Sequence, residues 1–302
     1  MEGLVICSTG KLCDVYSDGN IFKCTLKGNL RLKGIKTTNP ISVGDRVLFE
    51  LEDKSTTGRI FKILDRKNVI IRRATNLSRQ THILAANIDL AVLVVTPVLP
   101  RTSTGFIDRF LITAEAYNIP VLLVFNKMDL FENDIDLVKY YNQLYINAGY
   151  KTLMVSATNK TNIEEFREII SNKVILLTGH SGVGKSTLIK AIDPNIKIKI
   201  GNLSETHLKG KHTTTFARMY LLQNETFIID TPGIKEFGVV DFEPWELGHW
   251  FREFKEFIPK CHYANCTHQH EPDCAVRMAV ESGKIDEERY SNYIGILNNI
   301  SE

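Results

Sequence analysis

The apolar positions follow two textures, and the change falls near Arg73. Before it, Leu4 to Ser8, Leu12 to Tyr16, Ile21 to Leu26, Asp45 to Leu51 and Arg59 to Leu64 are short β-type runs. Turn signals such as Ser17-Asp18-Gly19-Asn20 and Val43-Gly44-Asp45 separate them. About five such strands with almost no helical periodicity predict a small closed barrel, either an OB-fold or an SH3-like barrel. After Arg73, Ile88 to Thr96, Val121 to Asn126, Thr152 to Ser156, Val174 to Gly179 and Phe227 to Asp230 read as buried parallel strands. Helical stretches over Gly105 to Tyr117, Ile135 to Ala148, Ile163 to Ser171 and Lys185 to Ala191 alternate with them. That alternation predicts a doubly wound α/β domain with its chemistry in loops at the carboxyl ends of the strands. Past about Val240 helix and loop mix, and Trp245, Trp250, Phe251, Phe254 and Phe257 are spaced for one packed helical face.

Length and composition set the scale. A chain of 302 residues, 43% hydrophobic and 24% charged, suits two or three domains with their own cores. No apolar run is long enough to cross a bilayer, and Met1 to Gly10 lacks the basic start and long apolar stretch of a signal peptide. A cytoplasmic protein with no membrane partner is expected. The net charge of +2 hides an asymmetry: residues 1–73 carry 14 Lys and Arg against 8 Asp and Glu, a net of +6 that leaves −4 for the rest. A polyanion such as nucleic acid is one reading of that basic segment, and a solvated basic face is the other.

Gly179-His180-Ser181-Gly182-Val183-Gly184-Lys185-Ser186-Thr187 satisfies GxxxxGK[ST] and lies between an apolar strand and a helical stretch. Its glycines let main-chain N–H groups turn inward around phosphate oxygens, and the helix dipole adds favourable potential. Lys185 is expected to neutralise β and γ phosphates, and the Ser186 hydroxyl to ligate Mg2+. Phe227 to Asp230 is an apolar strand ending in a carboxylate, where such proteins hold the magnesium shell, with Gly233 closing the same nucleotide-binding segment.

Val124-Phe125-Asn126-Lys127-Met128-Asp129 ends another buried strand. The Asp129 carboxylate can accept from the guanine ring N–H and its exocyclic amine together, a donor pair that adenine lacks. A wrong base would leave the acid unpaired, so the site selects GTP over ATP. Asn126 would brace neighbouring loops and Lys127 would lie along the base. At the next strand end, Ser156-Ala157 can offer a main-chain N–H to the guanine oxygen.

These segments resemble the five motifs of Ras-like GTPases in rotated order: guanine motifs first, then phosphate loop, switch one and switch two. That order looks like the circularly permuted GTPases. With a barrel in front and a Cys/His cluster behind, the whole chain resembles the ribosome small-subunit-dependent GTPase family. The resemblance implies three domains: an OB-fold-like RNA-binding domain at 1–72, a circularly permuted P-loop G domain at 73–240 and a zinc-binding, mostly helical domain at 241–302. It further implies a GTP/GDP cycle with Mg2+ and a monomer whose partner is the small ribosomal subunit and its rRNA. The protein would act in late maturation of that subunit, with hydrolysis stimulated there. Lys23, Lys27, Arg31, Lys33 and Lys36 would supply phosphate contacts.

Two regions bear on hydrolysis and on metal. Ile234 stands where Ras-like enzymes carry a water-orienting glutamine, so intrinsic turnover should be slow. An RNA-binding checkpoint using GTP mainly as a conformational ligand is therefore the rival reading. Lys209 to Thr215 resembles the Gly-x-His-Thr-Thr switch one of the family. Thr214 would close on Mg2+ and the γ-phosphate, and His212 would position water or steady transition-state charge, unless it is a solvated loop histidine. Cys261-x4-Cys266-x-His268-x5-Cys274 offers three thiolates and an imidazole, a complete tetrahedral set for one structural zinc. His262 and His270 are neighbours, and the family pattern favours His268. Cys7, Cys13 and Cys24 lie in strand-like runs and read as apolar packing.

Overall fold

A computed structural model describes residues 1–9, 12–27, 40–52, 56–73, 81–196, 218–230 and 243–301. In chain order the strands are β1 Glu2–Ser8, β2 Leu12–Ser17, β3 Asn20–Leu26, β4 Arg46–Leu51, β5 Thr57–Ile63, β6 Val69–Arg73, β7 Thr81–Ala86 and β8 Leu90–Val95. Then come α1 Thr104–Ala116, β9 Val121–Phe125, α2 Ile135–Asn147, β10 Lys151–Met154, α3 Ile163–Ile170, β11 Val174–Thr178 and α4 Lys185–Ile192. Strands β12 Arg218–Leu221 and β13 Phe227–Asp230 and helices α5 Ala275–Glu281 and α6 Glu287–Ser301 complete the described strands and α-helices. Two compact units result: Met1–Leu90 with Glu168–Leu177 and Asp193–Lys235, and Ala91–Arg167 with Thr178–Ile192 and Glu236–Glu302.

In the first unit β1, β2 and β3 form an antiparallel meander, β3 runs parallel to β5, β5 pairs with β4, and β4 returns to β1. This closed order is that of an OB-fold, and it excludes the SH3-like alternative. Closure needs a tight crossing at Gly3, where a Cβ would lie 2.4 Å from Val15 Cγ1. Alternation places Val5, Cys13, Val15, Cys24, Val47, Phe49 and Ile60 inside. Cys7 is half-buried, whereas Cys13 and Cys24 are fully enclosed.

The hairpin β6–β7 leads away from the barrel and is fastened back to it, since Asn87 Nδ2 donates to the Gly44 carbonyl at 2.8 Å. In the same unit β11 runs parallel to β13, β13 is antiparallel to β12, and β12 meets β1 at the Cys7–Arg218 pair. Arg218 lies 3.9 Å from Asp14, and Tyr16 stands edge-on to Phe227 with ring centroids 5.2 Å apart.

The second unit holds the parallel strands β10, β9 and β8. Every residue of β8 and β9 is buried, which is why both read as unbroken apolar runs. Beyond position 242 the aromatic residues depart from the expected single helical face. Three short 3-10 turns, Leu247–Trp250, Arg252–Phe254 and Ile258–Lys260, take its place. Phe251 and Phe254 stack at 5.0 Å in the core, Trp250 and Phe257 pack at its margin, and Trp245 is 43% exposed. The turns are short and separate, so no continuous helix carries the five rings on one face, and Trp245 lies before the first of them.

Candidate functional site

The second unit contains both halves of the nucleotide motif. Asn126, at the end of β9, is 1% exposed. Its Nδ2 donates to the Val183 carbonyl at 2.9 Å, and its Oδ1 accepts from the Ala157 N–H at 3.3 Å. Lys127 takes a left-handed conformation (φ 66°) that swings the chain into the turn Met128–Leu130, and its Nζ donates to the Leu99 carbonyl at 3.0 Å. The Met128 N–H donates to the Val155 carbonyl at 3.2 Å. Half-buried Asp129 accepts the Ser156 hydroxyl at 2.5 Å, and that hydroxyl accepts the Asn159 N–H at 3.0 Å. The predicted guanine-reading residues therefore form one bonded cluster.

The phosphate loop leaves β11 at Gly179. Gly179, Gly182 and Gly184 have φ of 142°, 85° and 94°, which side-chain-bearing residues rarely adopt. Close approach adds to the need: a Cβ would fall 2.2 Å from the Val94 carbonyl oxygen at Gly179 and 2.4 Å from Asn126 Nδ2 at Gly184. Val183 is buried and anchors the loop, while Ser181 is exposed. Lys185 opens α4 and donates to the carbonyls of Gly179 at 2.6 Å and His180 at 2.8 Å. Ser186 and Thr187 follow it in the first helical turn, half-buried and exposed respectively. Burial and the Lys185 charge lower the His180 imidazole below its usual value.

Asp230 ends β13 as expected, but its side chain lies outside the described residues, as do His212, Thr214, Gly233 and Ile234. The basic positions Arg31, Lys33 and Lys36 lie outside them as well.

Cys261 Sγ, Cys266 Sγ, His268 Nδ1 and Cys274 Sγ all lie within 4.8 Å of one another. His268 Nδ1 is 3.7 Å from Cys261 Sγ and 3.5 Å from Cys274 Sγ, whereas His262 and His270 are exposed. On the far side of the ring Nε2 abuts Gly248, where a Cβ would come within 2.8 Å. Burial pulls the His268 imidazole down to about 4 and pushes the Cys266 and Cys274 thiols up. A buried neutral imidazole with three thiols fits a soft divalent cation, which would stabilise the thiolate forms that burial disfavours. Glu271 ties the loop around His268 together by accepting from Thr267 N and Oγ1 at 2.6 and 2.7 Å and from the Gln269 and His270 N–H groups at 3.1 Å.

Sequence reading missed two supports of the site. Thr96 to Phe106 touches the guanine motif through the Leu99 carbonyl and the phosphate loop through Phe106, whose ring lies 4.0 Å from that of His180. A buried ion network fastens α1 to α6: Asp108 accepts from Arg289 Nη1, from Asn292 Nδ2 at 2.8 Å and from the Tyr145 hydroxyl at 3.0 Å. Arg289 also donates to Glu253 at 2.6 Å. The signal available for it was an acid, Asp108, set among the apolar positions of a helix.

A glycine cradle joined to a guanine-type motif that precedes it in the chain defines a P-loop GTPase with circularly permuted motifs. Residues 63–240 match the RsgA GTPase family model, and residues 2–60 match the RsgA N-terminal domain. The chain belongs to the RsgA GTPase family. It is 51% identical over 304 aligned positions to a Bacteroides thetaiotaomicron protein named small ribosomal subunit biogenesis GTPase RsgA 2, covering 100% of this chain and 98% of that one. The crystal structure of YjeQ from Thermotoga maritima superposes with a TM-score of 0.81 at 35% identity, covering 99% and 98% of the two chains. The structure described as YloQ, a circularly permuted GTPase, gives 0.76 at 28% identity, with coverage of 99% and 94%.

Proposed function

We propose that the protein is a GTP hydrolase that binds the small ribosomal subunit and acts in its late maturation, with hydrolysis stimulated by the subunit. The Asn126–Val183 hydrogen bond carries the reading, because it joins a base-selecting motif to a phosphate cradle. Asp129 would accept from the guanine ring and its amine, with the Ser156-Ala157 turn beside the guanine oxygen. Main-chain N–H groups of 179–187 would hold the phosphates, and Lys185 would neutralise the β and γ charge. Ser186 and Thr214 would hold Mg2+ with Asp230 in its outer shell, and the ion would offset charge on the leaving phosphate. His212 would orient the attacking water in place of the glutamine that Ile234 replaces. One zinc held by Cys261, Cys266, His268 and Cys274 would staple the C-terminal module, and its filled coordination leaves it no catalytic role.

The relative named for small ribosomal subunit biogenesis supports the choice of partner. The OB-fold barrel with its basic residues, including exposed Lys23, supports contact with rRNA that weakens as salt rises. The protein would work as a monomer with domain limits near 72 and 240. Among the described residues no helix is long and apolar enough to cross a membrane, which suits a cytoplasmic role.

Phosphate release from GTP, titrated with purified small subunits and with ATP as control, tests the proposal. Saturable stimulation specific to GTP and to small subunits is expected, and turnover indifferent to subunits would sink it. Ile234 favours one alternative, a checkpoint in which GTP is chiefly a conformational ligand. Single-turnover hydrolysis with and without subunits separates the two.

A further inference from the structure

The phosphate loop is held on two flanks by different parts of the second unit. Its later half is fixed by the burial of Val183 and by the Asn126 hydrogen bond. Its earlier half, Gly179 to Gly182, contains two residues at positive φ and an exposed serine, so little in its own sequence confines it. There the His180 ring lies over the Phe106 ring, with centroids 4.0 Å apart and planes inclined by 32°. Pro100, earlier in the same segment, backs Gly182, whose Cβ would lie 3.5 Å from Pro100 Cγ.

Phe106 is well placed to act as a fixed support. It stands in the first turn of α1, capped by the Ser103 side chain. Thr104 donates to Glu288 at 2.7 Å, and Asp108 is buried with Arg289, so the same turn is fastened to α6 before and after Phe106. Movement of His180 would also disturb Lys185, which donates to the carbonyls of both Gly179 and His180.

We propose that Phe106 and His180 are positioning residues for nucleotide binding, their stacked rings holding the first half of the phosphate loop in the shape that surrounds phosphates. The inference rests on the reading of this loop as the GTP site. A glycine-rich loop loses more conformational entropy on ordering than any other sequence, and a loop ordered beforehand spares the nucleotide that cost. Burial and the nearby Lys185 charge lower the His180 imidazole, which favours the uncharged ring in this contact.

The test is equilibrium titration of the full chain with fluorescent GDP and GTP analogues, comparing the parent with H180A, F106L, H180A/F106L and H180F. Single-turnover hydrolysis at saturating GTP runs in parallel. Each single variant should weaken both nucleotides about 3- to 10-fold, the range expected for one aromatic pair. The double should be little weaker than either single, and H180F should restore affinity to within about twofold. The single-turnover rate should stay within about twofold, because the contact is made equally in ground and transition states. Parental affinity in H180A overturns the proposal, as do fully multiplicative single effects or no recovery in H180F. His180 is exposed, so H180A keeps the test decisive even if F106L does not fold. Failure of the parent to bind either nucleotide overturns instead the reading of the loop as a GTP site.

Discussion

The side-chain amide of Asn126 donates to the main-chain carbonyl of Val183 at 2.9 Å, across 57 positions of sequence. One strut therefore serves both ends of the site. Asn126→Asp keeps an acceptor for Ala157 but loses the donor and sets a charge against a carbonyl. Leaving a buried group unsatisfied costs about 1–3 kcal/mol, so affinity for GDP and GTP should fall roughly 5- to 150-fold. Titration calorimetry measures it, and an unchanged Kd would separate the two motifs functionally.

Asp129→Asn should change which base is preferred. Xanthine carries a carbonyl where guanine has its exocyclic amine, and an Asn amide can donate to it. GTP affinity should drop by at least about 100-fold while XTP binding appears, since mismatched buried polar groups discriminate strongly. A competition assay with both nucleotides decides, and retained GTP preference would remove Asp129 from base reading.

Arg289→Met strands two carboxylates, Asp108 and Glu253, that are 0% and 9% exposed. Removing one partner of a buried ion pair costs about 3–5 kcal/mol, so the urea midpoint should shift down markedly. Adding Asp108→Asn should recover part of the loss. Additive destabilisation in the double variant would argue against coupling.

Metal analysis should find one zinc per chain, lost with Cys274→Ser or a strong chelator. Cys266 and Cys274 sit in one core cluster with Phe251, Phe254 and Tyr293. Structural zinc binding is worth about 10–16 kcal/mol in small modules, comparable with the whole stability of a domain at about 5–15 kcal/mol. Metal loss should therefore unfold the C-terminal module, seen as lost near-ultraviolet circular dichroism. A stable, unaltered spectrum after chelation would contradict this.

Burial alone would raise the Glu271 carboxyl, but hydrogen bonds from Thr267 and adjacent main-chain N–H groups bring it down to about 2 from an ordinary 4.5. A carboxyl depressed in the folded state stabilises fully above its unfolded pKa and loses that contribution as pH falls towards the folded one. The Tm gap between parent and Glu271→Gln should be widest near neutrality and should narrow from about pH 5 to pH 3. A gap constant over that range would assign the effect to packing.

The parts of the fold that sequence disclosed are those whose cause is local. Gly179 to Thr187 and Asn126 to Asp129 are contiguous motifs because a loop at a strand end supplies all their atoms. Barrel strands show themselves through alternation, and the Cys/His cluster through short spacing. Other features arise only in three dimensions. Asp108 and Arg289 meet across 181 positions, which no window can register. Strand β12 is the four residues Arg218–Leu221, too short to display a period, and β6 reads Val-Ile-Ile-Arg-Arg, mixing apolar and basic positions. The aromatic stripe misled because spacings of three suit both α and 3-10 turns.

The Cys7–Arg218 pairing of β12 with the barrel limits how the chain can be divided experimentally. Cutting away residues 1–60 to obtain a minimal catalytic fragment would leave β12 paired with β13 alone and unroof Phe227, now only 7% exposed. A bare strand flank of that kind invites pairing between molecules. Shortened versions should therefore self-associate more than the intact chain, and a loss of turnover in them would report that association before it reported any missing function of the barrel.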